Sequence, residues 1–325
     1  MIYFRIKNGV DRNKKIRYNI VDRYDKIVTN KKILDYVNSL TIPPAYDDVK
    51  IFYDANPKIL FQGFDSKGRL QQIYSEAHKK KSMKKKFCHV LDFGKVLPRI
   101  KADIAKHMKA NIFTTDKIIA IILRIVISCS FRIGNLKYQR LYGSFGISNI
   151  LKSHISRKGS NLHIEFIGKK GVVNQCLIKD TQLVSEINKL ITTKKSNDYV
   201  FTHKKNGDNT VITALEINKW LKEYNVNTTT KHFRTWDTNI LFIEYMRKSV
   251  DPINLTRIQR KKIVSDGMKV ISCQINNSPT VCRKEYLHIE LLNLYMDKPK
   301  EFKKWFFGCN DAKKCFLNYL EKFCN

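Results

Sequence analysis

The chain of 325 residues lacks the features of a membrane or secreted protein. Its longest apolar run, residues 118–131, contains Arg124 and is shorter than the roughly 20 apolar residues that span a bilayer, so it predicts a buried helix. The charged residues at the start of the chain are not followed by an apolar segment, and we therefore expect no secretory signal. The sequence predicts an intracellular protein, in the cytosol or nucleus, without a membrane partner.

Metal-binding cysteine patterns are also missing. The eight cysteines are dispersed singly, with no Cys-x-x-Cys pair and no histidine at zinc-ligand spacing. In a chain of this length that we expect to be intracellular, such cysteines are typical of free thiols. The sequence therefore predicts free cysteines and no metal site.

The motifs of nucleotide-dependent and metal-dependent enzymes are absent as well. The sequence contains no Gly-x-x-x-x-Gly-Lys-Ser/Thr loop, no Gly-x-Gly-x-x-Gly turn, no His-Glu-x-x-His and no acidic cluster suited to two metal ions. These absences argue against an ATPase and against a metal-dependent nuclease. We expect no cofactor.

Positive charge is what the chain has in excess. Its 61 Lys and Arg residues exceed its 29 Asp and Glu residues, which gives a formal net charge of +32 and a pI near 9.8. Hydrophobic residues make up 43% of the chain, enough to bury a core, which argues against disorder. A folded protein with this charge is expected to bind a polyanion, and nucleic acid is the leading candidate.

The pattern of apolar residues predicts an α+β protein with two domains. Residues 1–80 predict a small β-rich amino-terminal domain, because short apolar or alternating runs are separated by Gly, Asp, Asn and Pro. Residues 81–86, in a lysine block, are too charged for a core and predict a basic linker or the exposed start of a helix. Residues 87–325 predict a larger, mainly helical domain. The individual predictions are strands at 2–6, 16–21, 50–53 and 59–63, a hairpin at 161–178, and helices at 31–40, 117–130 (capped by Asp116), 214–224, 232–248, 279–296 and 301–322.

Cations at the ends of predicted elements suggest a metal-free phosphoryl transfer. Arg132 follows the apolar helix, Arg234 lies where a basic cluster meets aromatic residues, and Lys169 sits at the glycine-flanked tip of the hairpin. Arg and Lys side chains can neutralise charge on a pentacoordinate phosphate, and a lysine can also donate a proton. Taken singly, each of them is as consistent with a capping, ion-pairing or surface role.

Tyr286 is the candidate nucleophile. Ser278 and Pro279 have the pattern of a helix start, and the helix that follows carries Arg283 and Lys284 close to Tyr286. A phenol beside such cations ionises more easily and can attack phosphorus to form a covalent intermediate. Since the chain has 15 tyrosines, packing is the alternative role for this one.

These segments together resemble the active-site motifs of the small type IB DNA topoisomerases of poxviruses, giant viruses and bacteria. The matching segments, in family order, are residues 131–135, 168–169, 231–236 and 277–286. Residues 40–49 and 63–71 resemble the β-domain signature of the same family. Any one motif is weak, but six occur in the right order, and the resemblance extends over nearly the whole chain. The resemblance implies the fold shared by type IB topoisomerases and tyrosine recombinases for the larger domain.

The resemblance also implies a catalytic role at each matching position. Tyr286 would be the nucleophile, and Arg132 and Arg234 would bind the non-bridging oxygens of the attacked phosphate. Lys169 would be the general acid for the 5′ oxygen. Asn277 stands where the poxvirus enzymes have a histidine, and its amide can donate a hydrogen bond to a phosphate oxygen without carrying positive charge.

Further positions match DNA contacts of the family. Residues 71–74 correspond to a strand that reads the major groove in the poxvirus enzymes, but Gln72 replaces a tyrosine there, so their base preference is not carried over. We expect DNA contacts at Lys67, Arg69, Gln71, Gln72, Tyr74, Lys137, Tyr138 and Lys231.

The implied function is a type IB DNA topoisomerase that relaxes supercoils by cleaving and rejoining one strand. It would form a 3′-phosphotyrosyl intermediate and need neither ATP nor an obligatory metal. We expect a monomeric clamp around double-stranded DNA with no obligatory protein partner. The abundance of Lys, Ile and Asn indicates an AT-rich, viral genome, and hence a place in the virion, a cytoplasmic factory or the nucleus.

Two alternatives remain open. A tyrosine recombinase or integrase shares the same catalytic residues, but it usually has a histidine three residues before the second arginine, where this chain has Lys231. A non-enzymatic architectural DNA-binding protein would explain the charge, but it has no need of the ordered Arg, Lys, Arg and Tyr.

Overall fold

The computed structural model describes residues 1–11, 13, 16–55, 57–205 and 207–325, and the chain divides into the units Met1–Lys86 and Phe87–Asn325. An antiparallel sheet dominates the first unit and helices dominate the second, as the α+β prediction requires. Each unit is described by itself below.

The first unit is built on five antiparallel strands in the order β2-β1-β3-β4-β5. One face of the sheet packs against helix α1 through the buried Tyr3, Val37, Val49, Ile51 and Phe61. The four predicted strands and the predicted helix are confirmed, and a fifth strand is added. The elements are β1 Ile2–Val10, β2 Ile16–Val21, α1 Lys31–Ser39, β3 Asp47–Phe52, β4 Ile59–Phe64 and β5 Leu70–Tyr74.

The basic block lies in a long helix, α2, which runs from Glu76 to Met108. Residues 81–86, assigned from their charge to a linker, are therefore helical. Lysine is a good helix former whose ammonium stays in water, so a lysine run is compatible with an exposed helix start. Phe87 is the first buried residue of α2, and from there on apolar residues follow at helical spacing.

The second unit contains ten further α-helices in its described part and two small sheets, ordered β6-β7-β8 and β9-β10. Helix α3 lies in its core, with residues 118–123 all buried, and confirms the buried helix expected from the apolar run. The elements are α3 Thr115–Cys129, α4 Leu136–Tyr142, β6 Ile155–Lys158, β7 Asn161–Ile167, β8 Val173–Ile178, α5 Thr181–Ile191, β9 Thr202–Lys205, β10 Asp208–Val211, α6 Ala214–Lys222, α7 Thr230–Lys248, α8 Arg257–Gln274, α9 Pro279–Glu285, α10 Ile289–Asp297, α11 Pro299–Phe306 and α12 Ala312–Cys324.

Three helix predictions are corrected. Thr114, not Asp116, caps α3, because the Thr114 side chain accepts the N–H of Lys117. The helix predicted at 279–296 is broken between α9 and α10, where His288 caps α10 by accepting the N–H of Leu291. The helix predicted at 301–322 is likewise two helices, because Asp311 caps α12. In each case a polar side chain accepts a hydrogen bond from a backbone N–H that has no partner within the helix, and this fixes where the helix starts.

The expectation of free cysteines is wrong for six of the eight. Cys88 is bonded to Cys324, Cys129 to Cys176 and Cys309 to Cys315, while Cys273 and Cys282 are free. The first pair joins residues 236 positions apart. No local spacing could reveal such a pair, because folding alone brings its members together.

A buried ion pair fixes α3 against α5. The Lys117 ammonium lies 2.6 Å from the Glu186 carboxylate, and only 2% and 8% of these side chains are exposed. Lys117 also donates to the carbonyl of Ala110, and Lys189 donates to Glu186. Burial alone raises the pKa of Glu186, but the two lysines outweigh it and hold that pKa below its ordinary value.

We predict that Lys117→Met lowers the free energy of unfolding by about 3–5 kcal/mol, since it leaves a carboxylate buried beside one exposed lysine. Urea denaturation at pH 7 measures this loss. The double variant Lys117→Met/Glu186→Leu should recover much of it, because no charge is then left unpaired.

The same pair predicts a direction for the pH dependence. Because the folded-state pKa of Glu186 is depressed, its contribution is present above the unfolded pKa of about 4.3 and is lost as the pH falls through the folded value. A wild-type and Lys117→Met protein of equal stability at pH 7 would contradict both predictions.

Candidate active site

Arg234 is a cation held in the interior of the second unit. It lies on α7 and is 2% exposed. Its guanidinium donates to the carbonyl of Ser130, at the end of α3, and to the carbonyl of Ile275, at the end of α8, the latter at 2.6 Å. Helix carboxyl ends carry partial negative charge and so stabilise a cation there.

The pKa of Arg234 is lowered to about 10, first by burial and then by the positive charge of Arg132. Tyr286 raises the pKa of Arg234, because its oxygen favours the charged form of the guanidinium, but this effect is smaller. Arg234 therefore remains a cation at neutral pH.

Tyr286 lies beside both arginines. Its ring centroid is 5.3 Å from the guanidinium carbon of Arg234, and its hydroxyl accepts a hydrogen bond from Nη2 of Arg132 at 3.3 Å. Tyr286 ends α9, whose start confirms the predicted pattern: the Ser278 side chain caps the helix and Pro279 is its first residue. Three of the predicted catalytic residues are thus brought together from segments far apart in sequence.

The segment of Arg132 is fixed by close backbone contacts. The Arg132 carbonyl accepts the N–H of Ile147 at 2.8 Å. A Cβ on Gly134 would lie 1.6 Å from Oδ1 of Asn149, so glycine is required at this position. Asn149 uses the same oxygen to accept the N–H of Gly146.

Lys169 lies at the tip of the β7–β8 hairpin, between Gly168 and Gly171. Its side chain is exposed, and no hydrogen bond or ion pair in the described part of the chain joins it to the arginines or to Tyr286. The structure therefore places Lys169 on an exposed tip and, among the described residues, does not bring it into contact with the arginines or Tyr286.

The hairpin itself is tied to the cluster by Asn276. Its Oδ1 accepts the N–H of Gln175 on β8, and its Nδ2 donates to the carbonyl of Cys129 at the end of α3, both at 3.1 Å. The Cys129–Cys176 disulfide joins the same two elements. Asn276 was not singled out in the sequence, and only its neighbour Asn277 matched a motif.

Two buried donors have no hydrogen-bond partner among the described residues: Nε of Arg234, and Nδ2 of Asn277, two residues after the Ile275 carbonyl that Arg234 binds. Oδ1 of Asn277 accepts the N–H of Ser278, which leaves the amide nitrogen as its remaining polar group. Buried donors are normally paired, so unpaired ones are suited to bind an anion. Among the described residues, no group of three His, Cys, Asp or Glu side chains could hold a metal ion.

Asn239 is a functional candidate that the sequence analysis missed. Its Nδ2 donates to the carbonyl of Tyr286 at 2.9 Å, and its Oδ1 accepts the N–H of His288, also at 2.9 Å. One fully buried amide therefore holds the break between α9 and α10, and with it the backbone of Tyr286. The sequence signal was an amide five residues after Arg234, at helical spacing from the apolar Trp236, Phe242 and Ile243.

The predicted DNA contacts of the second unit are exposed. Lys137 and Tyr138 lie on α4, where Tyr138 stacks on Tyr142 with ring centroids 5.9 Å apart. Lys231 lies in the first turn of α7. All three are accessible to a large ligand.

The predicted contacts of the first unit surround the β4–β5 turn, which Asp65 organises. Oδ2 of Asp65 accepts hydrogen bonds from Nε and Nη2 of Arg69, at 2.9 and 2.6 Å. It accepts a third from Nε2 of Gln71, at 2.9 Å. The hydrogen bond from Arg69 is the main reason that the pKa of Asp65 lies far below its ordinary value. Lys67 donates only its backbone N–H to Asp65, and its side chain is exposed.

Comparison with known proteins adds independent information. Residues 75–308 match the family described as eukaryotic DNA topoisomerase I, catalytic core. The chain is 27% identical over 308 residues to DNA topoisomerase 1B of Acanthamoeba polyphaga mimivirus, covering 91% of this chain and 90% of the relative. It is 21% identical over 272 residues to DNA topoisomerase I of Monkeypox virus, covering 81% and 82%. In the described part of the chain, no helix has the length and hydropathy needed to cross a membrane.

We predict that Asn239→Leu loosens the junction of α9 and α10, because it leaves the Tyr286 carbonyl and the His288 N–H unpaired. The free energy of unfolding should fall by about 1–3 kcal/mol, and amide hydrogen exchange at His288 should accelerate. Asn239→Asp should keep His288 protected, since a carboxylate still accepts its N–H. Asn293→Leu, an exposed change on α10, is the control. Unchanged exchange at His288 in Asn239→Leu would contradict the role of this amide.

Proposed function

The chain belongs to the family of type IB DNA topoisomerases, and from that membership we propose that Tyr286 is its catalytic nucleophile. An enzyme of this kind relaxes supercoiled DNA by breaking one strand and rejoining it. The observation that carries the proposal is the position of the Tyr286 hydroxyl, which touches one guanidinium and lies beside a second.

The proposed reaction exchanges one phosphate ester for another. The phenol of Tyr286 gives its proton to water, and its oxygen bonds to phosphorus as the bond from phosphorus to the 5′ oxygen breaks. The products are a 3′ phosphate on the tyrosine and a free 5′ hydroxyl. Because the ester bond is kept in the intermediate, the 5′ hydroxyl can reverse the step without ATP.

The arginines are suited to bind the non-bridging oxygens of the phosphate. Arg234 is held by two carbonyls before any substrate arrives, so little reorganisation is needed when charge builds up on phosphorus. Its unpaired Nε and the unpaired Nδ2 of Asn277 are further donors for the same oxygens. We infer that these groups stabilise the pentacoordinate transition state more than the bound substrate.

Lys169 is the proposed general acid for the 5′ oxygen. Its position between two glycines gives the tip of the hairpin freedom to move, and its ammonium carries the proton that the leaving oxygen needs. Closure of the tip on bound DNA would bring Lys169 to the cluster.

We propose that one chain acts alone on double-stranded DNA, since all the residues assigned to the chemistry lie in the second unit of a single chain. The exposed Lys137, Tyr138 and Lys231 would contact the duplex there. The net charge of +32 indicates that binding depends strongly on salt. The relatives named above are virus proteins, so we place this chain among virus-encoded enzymes that act on viral DNA within the infected cell.

Tyr286→Phe should abolish relaxation of negatively supercoiled plasmid and formation of a covalent protein–DNA adduct, because only the attacking oxygen is removed. DNA binding should stay within a few-fold of wild type. The assay contains EDTA and no ATP, and the wild-type protein prepared in parallel is its control. Relaxation by Tyr286→Phe would exclude this tyrosine as the nucleophile.

Lys169→Ala should slow cleavage by about 10²- to 10⁴-fold, the usual range for loss of a general acid. A substrate with sulfur in place of the 5′ bridging oxygen should restore the rate, since a thiolate leaves without a proton. Lys170→Ala, the neighbouring change, should behave as wild type on both substrates. Equal defects of Lys169→Ala on the oxygen and sulfur substrates would contradict the proton-donor role.

A further inference from the structure

Helix α8 ends in a turn that requires a left-handed backbone, and an asparagine occupies the left-handed position. The N–H of Asn277 donates to the carbonyl of Ser272 at 2.9 Å, and the N–H of Asn276 donates to that of Cys273 at 3.2 Å. The φ angle of Asn276 is +50°. This is the Schellman arrangement, in which glycine is the usual residue because it has no Cβ to strain. Ending the helix therefore does not require the side chain of Asn276.

The side chain of Asn276 instead joins the helix end to two other elements. Its Oδ1 accepts the N–H of Gln175 on β8, and its Nδ2 donates to the carbonyl of Cys129 on α3, both at 3.1 Å. The amide uses its acceptor towards one element and its donor towards the other, so both bonds hold only in one orientation. Asn276 thus links α8, α3 and β8 at a single point.

Both contacts of Asn276 lie next to the carbonyls that hold Arg234. Ile275, which precedes Asn276, and Ser130, which follows Cys129, supply those two carbonyls. The strand β8 is therefore attached to the same two helix ends that fix the guanidinium of Arg234. A shift of β8 relative to that guanidinium strains or breaks the hydrogen bonds of Asn276.

The strand β8 leads directly to the hairpin tip that carries Lys169. Gln175 is two residues from Val173, where β8 begins and the tip ends. At about 3.3 Å per residue, the tip starts about 7 Å from the hydrogen bond of Asn276. The attachment is close enough to the tip to control its position.

The base of the tip is itself tied across the hairpin. The carbonyl of Val172 accepts the N–H of Gly168 and Nδ2 of Asn174, both at 2.8 Å. These bonds join the first residue of the tip to β8, so a displacement of β8 carries the base of the tip with it. Lys169 follows Gly168 directly and moves with that base.

We propose that Asn276 is a positioning residue for the proton donor, because its amide sets where the tip with Lys169 stands relative to the arginines and Tyr286. The proposal rests on the proposed function, in which the ammonium of Lys169 gives a proton to the leaving 5′ oxygen and becomes a neutral amine. Asn276 acts through Lys169 and not on the phosphate.

Asn276→Gly is the variant that tests this role. Glycine keeps the left-handed backbone and the end of α8, while both side-chain hydrogen bonds are lost. Cleavage is measured in a single turnover, with the full chain and a synthetic duplex containing a site that the wild-type chain cleaves. A reductant is present, since the Cys129–Cys176 disulfide joins the same elements and would compensate for the lost bonds. We expect cleavage to slow by up to about 10²-fold, the effect of a misplacement of about 1 Å, with DNA binding within a few-fold of wild type.

A duplex with sulfur in place of the 5′ bridging oxygen separates positioning of Lys169 from general damage to the site. A thiolate leaves without a proton, so Asn276→Gly should cleave this duplex within a few-fold of the wild-type rate. Displacement of Arg234 would instead slow cleavage of both duplexes. Gln175→Ala is the matched control, because it keeps the backbone N–H that Asn276 binds, and it should cleave both duplexes like wild type.

A double variant tests whether the two residues act in one step. Lys169→Ala/Asn276→Gly should cleave the oxygen duplex no more slowly than Lys169→Ala alone, because a proton donor that is absent cannot be misplaced. Independent effects would multiply.

The proposal would be overturned if Asn276→Gly cleaved the oxygen duplex at the wild-type rate, were equally slow on both duplexes, or added its full defect to that of Lys169→Ala. Lys169→Ala, assayed in parallel, reports on the proposed function. If sulfur restores Lys169→Ala but not Asn276→Gly, the positioning role is wrong and the proton donor stands. If sulfur restores neither, the proton donor is refuted, and the positioning role with it.

Discussion

A guanidinium group in a protein interior must replace the water that it has lost, and in the second unit two backbone carbonyls do so for Arg234. These carbonyls belong to the ends of α3 and α8, so the two helices must finish at the same point. Arg132 follows the first helix end and Asn277 follows the second. The requirement to solvate one buried cation therefore determines where the other groups of the cluster lie.

The same constraint explains how much of the site could be predicted from the sequence. The Ser278–Pro279 helix start and the hairpin around Lys169 depend on residues close in sequence, and both were predicted correctly. The break after Tyr286 depends on Asn239, nearly 50 residues away, and periodicity alone predicted one continuous helix. The disulfides were missed for the same reason, since their members meet only after folding. Local signals thus predicted the elements, while tertiary amide contacts decided where they end.

The two units have different recognition chemistry. The cluster around Tyr286 presents cations and donors suited to phosphate, a group that every nucleotide shares. The exposed sheet face of the first unit presents amides and apolar side chains instead, at Gln62, Phe64, Leu70 and Gln72.

The position of Tyr286 at the end of a seven-residue helix has a mechanical consequence. If Tyr286 is the nucleophile proposed above, torque from the swivelling DNA would reach the polypeptide through the phosphotyrosyl linkage. That load would enter at the junction of α9 and α10, where the Asn239 amide is hydrogen-bonded to the backbone on both sides of Leu287. From there it would pass into α7, which is 19 residues long and largely buried. The amide would thus anchor the tyrosine and limit how far it is pulled from the 5′ hydroxyl before the strand is resealed.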